Sequence, residues 1–385
     1  MNLAPLIDDT IQMVDLTGQY QRIKPEIDAA IQDCIDQAIF IKGGKVTQFE
    51  NQLAQYLDIE QVISCGNGTD AIQLAFMALG LKPGDEVIVP AFTYAAAAEV
   101  IALLGLVPVL VDVDPLTFNM TAASVEGAIT PKTRAVVPVH LFGQCADMEN
   151  ILNLCSSREL YIIEDNAQSL GAQYTFKAGK VVSAGGLGHL GITSFFPSKN
   201  LGCFGDGGAV YTNHPALGAR VRMIANHGQE VKYRHDVIGI NSRLDTIQAV
   251  ILLEKLKFLN SYINARQQAA SWYDAAFQDV AEIEIPGRTS YSTHVFHQYT
   301  LKVPAHQRDG LKAFLQQRNI PSMVYYPISL ARQKAYQGVS RVVGDLNVTE
   351  ELCQQVLSLP MHTELKPLQL EFITDSVRTF FEMAR

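Results

Sequence analysis

Between about residues 60 and 215, short apolar runs alternate with segments of helical spacing. The runs are QVISC (61–65), EVIVP (86–90), PVLVDVD (108–114), AVVPVH (135–140), LYIIED (160–165), GITSFF (191–196) and GGAVYTN (207–213). Between the first five lie helical patterns such as DAIQLAFMALG and DMENILNLCSS. Near-continuous apolar strands separated by helices predict an α/β fold with a mostly parallel sheet covered on both faces. In such a sheet a ligand binds beyond the carboxyl ends of the strands. The last two runs have no helix after them, and an antiparallel strand is expected among them.

After Asn213 the pattern changes to long helices. LDTIQAVILLEKLKFLNSYINARQQAASWYDAAF, Leu244 to Phe277, reads as one or two amphipathic helices. The stretch 286–293 is polar and turn-rich, which places a domain boundary there. Beyond it HQYTLKV (297–303) and PSMVYY (321–326) read as strands, with helices at roughly 306–318, 349–358 and 367–384. The expected organisation is a large domain over 1–285, with an amino-terminal helical segment and long connecting helices, and a small α+β domain over 286–385.

Composition narrows the function by exclusion. The chain has 385 residues, 48% of them hydrophobic, and a formal net charge of -9. No cluster of Lys and Arg interleaved with aromatics is present, so a nucleic-acid backbone finds no electrostatic landing site. The amino terminus, MNLAPLIDDT, is acidic and unlike a secretory signal. The longest apolar segment, Ala95 to Val113, contains Glu99, Pro108 and Asp112 and divides into a helix and a strand, so no membrane insertion is expected. Six scattered cysteines show no metal-ligand spacing, so no metal is expected, and they read as reduced thiols of a cytoplasmic protein.

Four strand ends carry polar residues that need explaining. GNGTDA, Gly66 to Ala71, opens a helix after a strand and leaves backbone N–H groups of Gly68 and Thr69 free for a phosphate. An ordinary N-cap with a glycine turn is the plainer reading of that stretch alone. IIEDNAQ ends a buried strand in Glu164-Asp165, and a carboxylate there needs a cation or strong donors. A protonated pyridine nitrogen is one such cation, and a helix cap or buried salt bridge is the commoner one. Tyr94, in PAFTYAA, is placed to stack a planar ring, or to fill core or interface. Lys199, in SFFPSKNLGCFGDGGA, is the only lysine between Lys180 and Lys232. Partial desolvation lowers a lysine's pKa and frees its amine to attack a carbonyl, and Ser194 precedes it by five residues. A phosphate cradle, a ring stacker, a carboxylate and an amine are together the complement of pyridoxal 5'-phosphate.

At this point the residues resemble a known family. GNGTDAIQLAFMALGLKPGDEVIVPAFTY, VDVDPLTFNM, IIEDNAQSLGA, TSFFPSKNLGCFGDGGAVYTN, GINSRLDTIQAVIL and LSLPMH are similar, in order from about Met13 to Met361, to the DegT/DnrJ/EryC1/StrS nucleotide-sugar aminotransferases. The resemblance implies fold type I of the pyridoxal-phosphate enzymes (aspartate aminotransferase-like) and a homodimer with shared active sites. It implies that Lys199 holds the cofactor as an internal aldimine, with pyridoxamine phosphate as intermediate, and that Asp165 pairs with the pyridine nitrogen. Gln168 is expected near the phenolic oxygen, Tyr94 on the ring, and Gly68, Thr69 and Ser194 at the phosphate. Asn241 is expected to reach that phosphate from the other subunit, while His227, Tyr233 and Arg243 line the sugar-nucleotide cleft.

Within the family the chain is most similar to enzymes that aminate C3 of a UDP-2-acetamido-3-keto-hexuronate, with L-glutamate as donor, in surface-polysaccharide (O-antigen or capsule) synthesis. Those enzymes carry His-Tyr-Pro where this chain has Tyr325-Tyr326-Pro327, which places both tyrosines at the sugar and leaves a dTDP- or other NDP-linked 3-keto or 4-keto-6-deoxyhexose as the alternative acceptor. Gly44 also stands where the family commonly has proline. A pyridoxamine-phosphate sugar dehydratase typically has histidine at the lysine position, which Lys199 disfavours. A non-catalytic, cofactor-binding regulator finds no support in a basic patch or an added segment.

Overall fold

The computed structural model describes residues 10–383, so the acidic amino-terminal stretch lies almost wholly outside the described residues. Among the described residues twelve strands form: β1 (Gln61–Cys65), β2 (Glu86–Pro90), β3 (Val107–Val111), β4 (Thr133–Val136), β5 (Tyr161–Asp165), β6 (Gln173–Thr175), β7 (Val181–Ser183), β8 (Leu190–Ser194), β9 (Gly208–Thr212), β10 (Tyr299–Lys302), β11 (Arg341–Val342) and β12 (Val356–Leu359). Eight of them make one sheet in the order β1-β9-β8-β5-β4-β2-β3-β11. Only β9 runs against its neighbours, β1 and β8. This is the mostly parallel sheet that the apolar runs predict, with the antiparallel strand among the last of them.

Alternation along each strand divides the core between the two faces, because successive side chains point to opposite sides. Val87, Val89, Ile163 and Ile192 pack on one face with the helices Gly68–Leu79 and Ala96–Leu103. Ile88, Val109, Ile162 and Tyr211 pack on the other with Gly44–Leu57, Met148–Ser157 and Thr246–Leu256. Each such side chain contributes roughly 1.5–3 kcal/mol when fully buried. With both faces covered, the edge left open to a ligand is the carboxyl end of the strands. Among the described residues no helix is long and apolar enough to cross a membrane.

The stretch from Leu244 to Phe277 forms two helices, Thr246–Leu256 and Leu259–Phe277. The second carries Ala269, Tyr273 and Phe277 into a separate core with Tyr299, Leu301, Leu357, Leu359 and the helix Pro367–Met383. Two expectations fail in this part of the chain. PSMVYY forms no strand; Met323 alone bridges to Ser358. The partner of β10 is instead β12, and the helix expected to reach residue 358 ends at Gln355. The four residues of β12 are all buried, which suits a covered strand better than a helix with one wet face. Pro321 opens PSMVYY and Pro327 follows it, and a proline has no N–H to give a ladder. The carboxyl-terminal segment also supplies β11, which pairs in parallel with β3 in the large sheet.

Candidate active site

The carboxyl ends of β5 and β8 and the turns after β1 and β2 open into one cavity of 660 Å³. Lys199 and Asp165 both line it. Lys199 sits in the loop after β8, where its amide donates to the Phe196 carbonyl at 2.8 Å. Burial draws its amine down to about 8, against the opposing pull of the Asp165 carboxylate. Asp165 ends β5, and its Oδ1 accepts the Ala167 amide at 3.0 Å. Burial raises the Asp165 carboxyl above the ordinary carboxylate range, while that amide and the Lys199 charge hold it down.

Glu164, one residue earlier, faces the other way, as the pleat requires. It is fully buried and takes the Leu187 and Gly188 amides at 2.6 Å each, the Gly185 amide at 3.0 Å and His140 Nε2 at 2.9 Å. The Ala146 amide donates to Nδ1 of His140 at 3.2 Å, so the ring proton is on Nε2 and points at Glu164. The two carboxylates of IIED thus divide into one that braces the sheet and one that faces the cavity.

The phosphate cradle suggested by GNGTDA has the right local form. Asn67 caps the helix Gly68–Leu79 by accepting the Asp70 amide at 2.8 Å. The amides of Gly68 and Thr69 find no acceptor among the described residues. A helix start carries roughly half a positive charge. A Cβ on Gly68 would lie 2.8 Å from Ser194 Cβ, so only glycine lets the helix start approach the end of β8. Gln168 accepts the Phe142 amide at 2.8 Å and donates to the Tyr326 hydroxyl at 3.1 Å. Tyr94 lines the same cavity and is 63% exposed, with its ring 6.4 Å from that of Tyr326. Tyr325 completes that wall.

Four expected residues are elsewhere in the subunit. His227, Tyr233, Asn241 and Arg243 do not line the Lys199 cavity. His227 Nε2 lies 3.4 Å from an Arg243 nitrogen, and Arg243 lines a neighbouring cleft of 760 Å³ with Lys42 and Asn226. Tyr233 is 82% exposed. Two residues not singled out in the sequence, His297 and Gln298, line the Lys199 cavity from the start of β10. The signal available for them was two adjacent polar residues at the head of the HQYTLKV stretch.

The order of these strand-end stretches along the chain has a match. The sequence pattern of the DegT/DnrJ/EryC1/StrS aminotransferase family fits residues 21–378. The chain belongs to that family. It is 44% identical over 363 residues to the UDP-2-acetamido-2-deoxy-3-oxo-D-glucuronate aminotransferase of Pseudomonas aeruginosa, a match that covers 94% of this chain and 98% of that one. It is 43% identical over 377 residues to a protein of Geobacillus stearothermophilus named a pleiotropic regulatory protein, covering 96% and 98%. A UDP-N-acetyl-3-dehydro-alpha-D-glucosamine 3-aminotransferase of Acidithiobacillus ferrooxidans is 41% identical over 368 residues, covering 96% and 97%. Among solved structures, a DegT DnrJ EryC1 StrS aminotransferase from Brucella abortus superposes with a TM-score of 0.92 at 42% identity, over 96% of this chain and 99% of that one. The architecture of this aminotransferase is that of fold type I.

Proposed function

We propose that this aminotransferase moves an amino group from L-glutamate to the 3-keto group of a UDP-linked 2-acetamido-hexuronate, using pyridoxal phosphate held at Lys199. The observation that carries the reading is Lys199 and Asp165 in one cavity, the first with its proton weakly held and the second buried and ionisable. Similarity to relatives named for UDP-linked 3-oxo sugars supports the acceptor. The residues present fit the cofactor: unclaimed amides at a helix start, a glycine that a Cβ would displace, an amine and a buried carboxylate.

When bound, pyridoxal phosphate supplies an electrophilic carbonyl carbon and a ring that accepts an electron pair. Gly68, Thr69 and Ser194 hold the phosphate, and Tyr94 covers the ring. Asp165 keeps a proton on the ring nitrogen by ion pairing in a water-poor site. Gln168, fixed by Phe142 and Tyr326, donates toward the phenolic oxygen. Lys199 would hold the cofactor's carbonyl carbon at rest and, as a free amine, would carry the proton from the Cα of L-glutamate across the amino nitrogen to that carbonyl carbon. The same residues run the sequence backwards on the keto sugar.

A dimer with shared sites completes the cleft: Asn241 reaches the phosphate of the other subunit, and His227, Tyr233 and Arg243 line its sugar-nucleotide side. We place the protein in the cytoplasm, in surface-polysaccharide synthesis, and divide it into a cofactor domain over 1–285 and a small domain over 286–385.

A second reading is favoured by Tyr325. Besides Lys199, the cavity wall of one subunit holds no lysine or arginine among the described residues, so a uronate carboxylate depends on Arg243 from the other. An uncharged acceptor, such as a 3-keto or 4-keto-6-deoxyhexose linked to dTDP or another nucleotide, needs no such cation. The test is to convert the protein to its amino-loaded form with L-glutamate, remove the amino acid, and add keto-sugar nucleotides singly. Return of the starting spectrum with the uronate supports the first reading. Return only with uncharged sugars supports the second.

A further inference from the structure

Two buried polar groups on the cavity wall have no use in the reading above. Nδ1 of His297 and Oε1 of Gln298 find no hydrogen-bond partner among the described residues, and each residue is only 6% exposed. Both line the Lys199 cavity. Leaving such an atom unpaired costs on the order of 1–3 kcal/mol, and a ligand that supplies the missing partner recovers it. Asn200, next to Lys199, has an unpartnered Oδ1 too, and its Nδ2 donates to the Val295 carbonyl at 3.2 Å, which fixes that oxygen as an acceptor.

The chemistry of this wall selects its ligand. Burial, with the nearby Lys199 and Arg266 charges, holds the His297 imidazole uncharged. The pair therefore offers an amide oxygen on Gln298 and a neutral ring on His297, and neither carries a positive charge. L-Glutamate carries two carboxylates, which only accept hydrogen bonds, so they cannot supply the donor that Gln298 Oε1 lacks. A hexose carries hydroxyls, and a 2-acetamido sugar adds an amide N–H; both can donate to amide oxygens.

We propose that His297 and Gln298 are a specificity pair that reads hydroxyl and acetamido N–H groups of the amino-acceptor sugar and takes no part in binding the amino donor. The proposal rests on the aminotransferase reading above. It explains how one cavity serves two unlike substrates in turn, with the dicarboxylate and the sugar held by different groups.

The test separates the two half-reactions, each followed as a single turnover by the visible spectrum of the holoenzyme. L-Glutamate is the first probe, and the second is a UDP-2-acetamido-3-keto sugar with or without the carboxylate, whichever the wild type accepts. Gln298→Leu and His297→Phe are expected to slow the sugar half-reaction ~10–100-fold and the glutamate half-reaction less than ~3-fold. His297→Asn, which keeps a neutral polar group, is expected to restore much of the sugar rate. Equal losses in both halves, a loss confined to glutamate, or no loss in either would overturn the pair's role while leaving the aminotransferase reading intact. A wild type that performs neither half-reaction overturns that reading and the pair with it.

Discussion

Asp165 and Lys199 oppose each other electrostatically in a cavity that penalises both charges. The carboxylate pulls the lysine pKa up, yet burial wins and leaves it at about 8. The lysine charge pulls the carboxyl down, and burial again wins in the upward direction. Neither group sits comfortably as an ion, which is the condition of a pair waiting for a third, charged partner.

The first prediction concerns capture of the cofactor. A lysine near 8 has its free amine half populated more than two pH units below an ordinary lysine at 10.5. The rate at which cofactor-free protein captures pyridoxal phosphate should rise with pH to a midpoint near 8, and Lys199→Ala should abolish both capture and turnover. A midpoint near 10 would remove the lysine from this role.

Adjacent carboxylates should respond in opposite senses. Glu164 is satisfied by three amides and His140, so Glu164→Gln leaves donors facing donors and should cost about 1–3 kcal/mol of stability for each donor left unpaired. Asp165 has a raised carboxyl pKa. Its ionised form therefore disfavours the folded state without cofactor, and that penalty fades as pH falls through the folded value. Asp165→Asn should leave the cofactor-free protein as stable or more so, while turnover falls ~10²–10³-fold. Denaturant midpoints of the two variants, beside their rates, check this.

Gly68→Ala tests the cradle. The added Cβ would meet Ser194 Cβ at 2.8 Å, too close for either to stay in place. Overpacking of this kind costs roughly 1–3 kcal/mol, and here it acts where the helix start meets the phosphate. Retention of pyridoxal phosphate on dialysis should fall well below wild type; unchanged retention would mean that the phosphate sits elsewhere.

These outcomes bear on how much of the site could be read from the chain. Lys199, Asp165, Gly68 and Ser194 were legible because each sits at the end of a strand, and a parallel sheet sends all such ends to one edge. PSMVYY misled because its composition suits a strand while Pro321 at its head and Pro327 just after it do not. His297 and Gln298 were missed for a different reason. They come from the far side of the turn-rich stretch 286–293, and tertiary bonds, from Arg266 to the His297 carbonyl and from the Gln298 amide to the Phe142 carbonyl, hold them at the Lys199 cavity. Local pattern carries no record of such a meeting.

The last prediction concerns residues that the subunit keeps apart. Asn241 and Arg243 lie outside the Lys199 cavity, Arg243 keeps a buried Nε without a partner, and Phe196 and Tyr94 stand exposed at the cavity rim. A second copy that covers the rim and inserts its own Asn241 and Arg243 accounts for all of these at once. Lys199→Ala and Arg243→Ala proteins should then each be nearly inactive alone. When unfolded together and refolded as a mixture, half of the dimers are hybrids, and each hybrid has one site with an intact Lys199 from one subunit and an intact Arg243 from the other. About a quarter of all sites, and so about a quarter of wild-type activity, should return from a symmetric two-fold assembly. If both residues serve the same subunit's site, the hybrid contains no complete site and the mixture stays inactive.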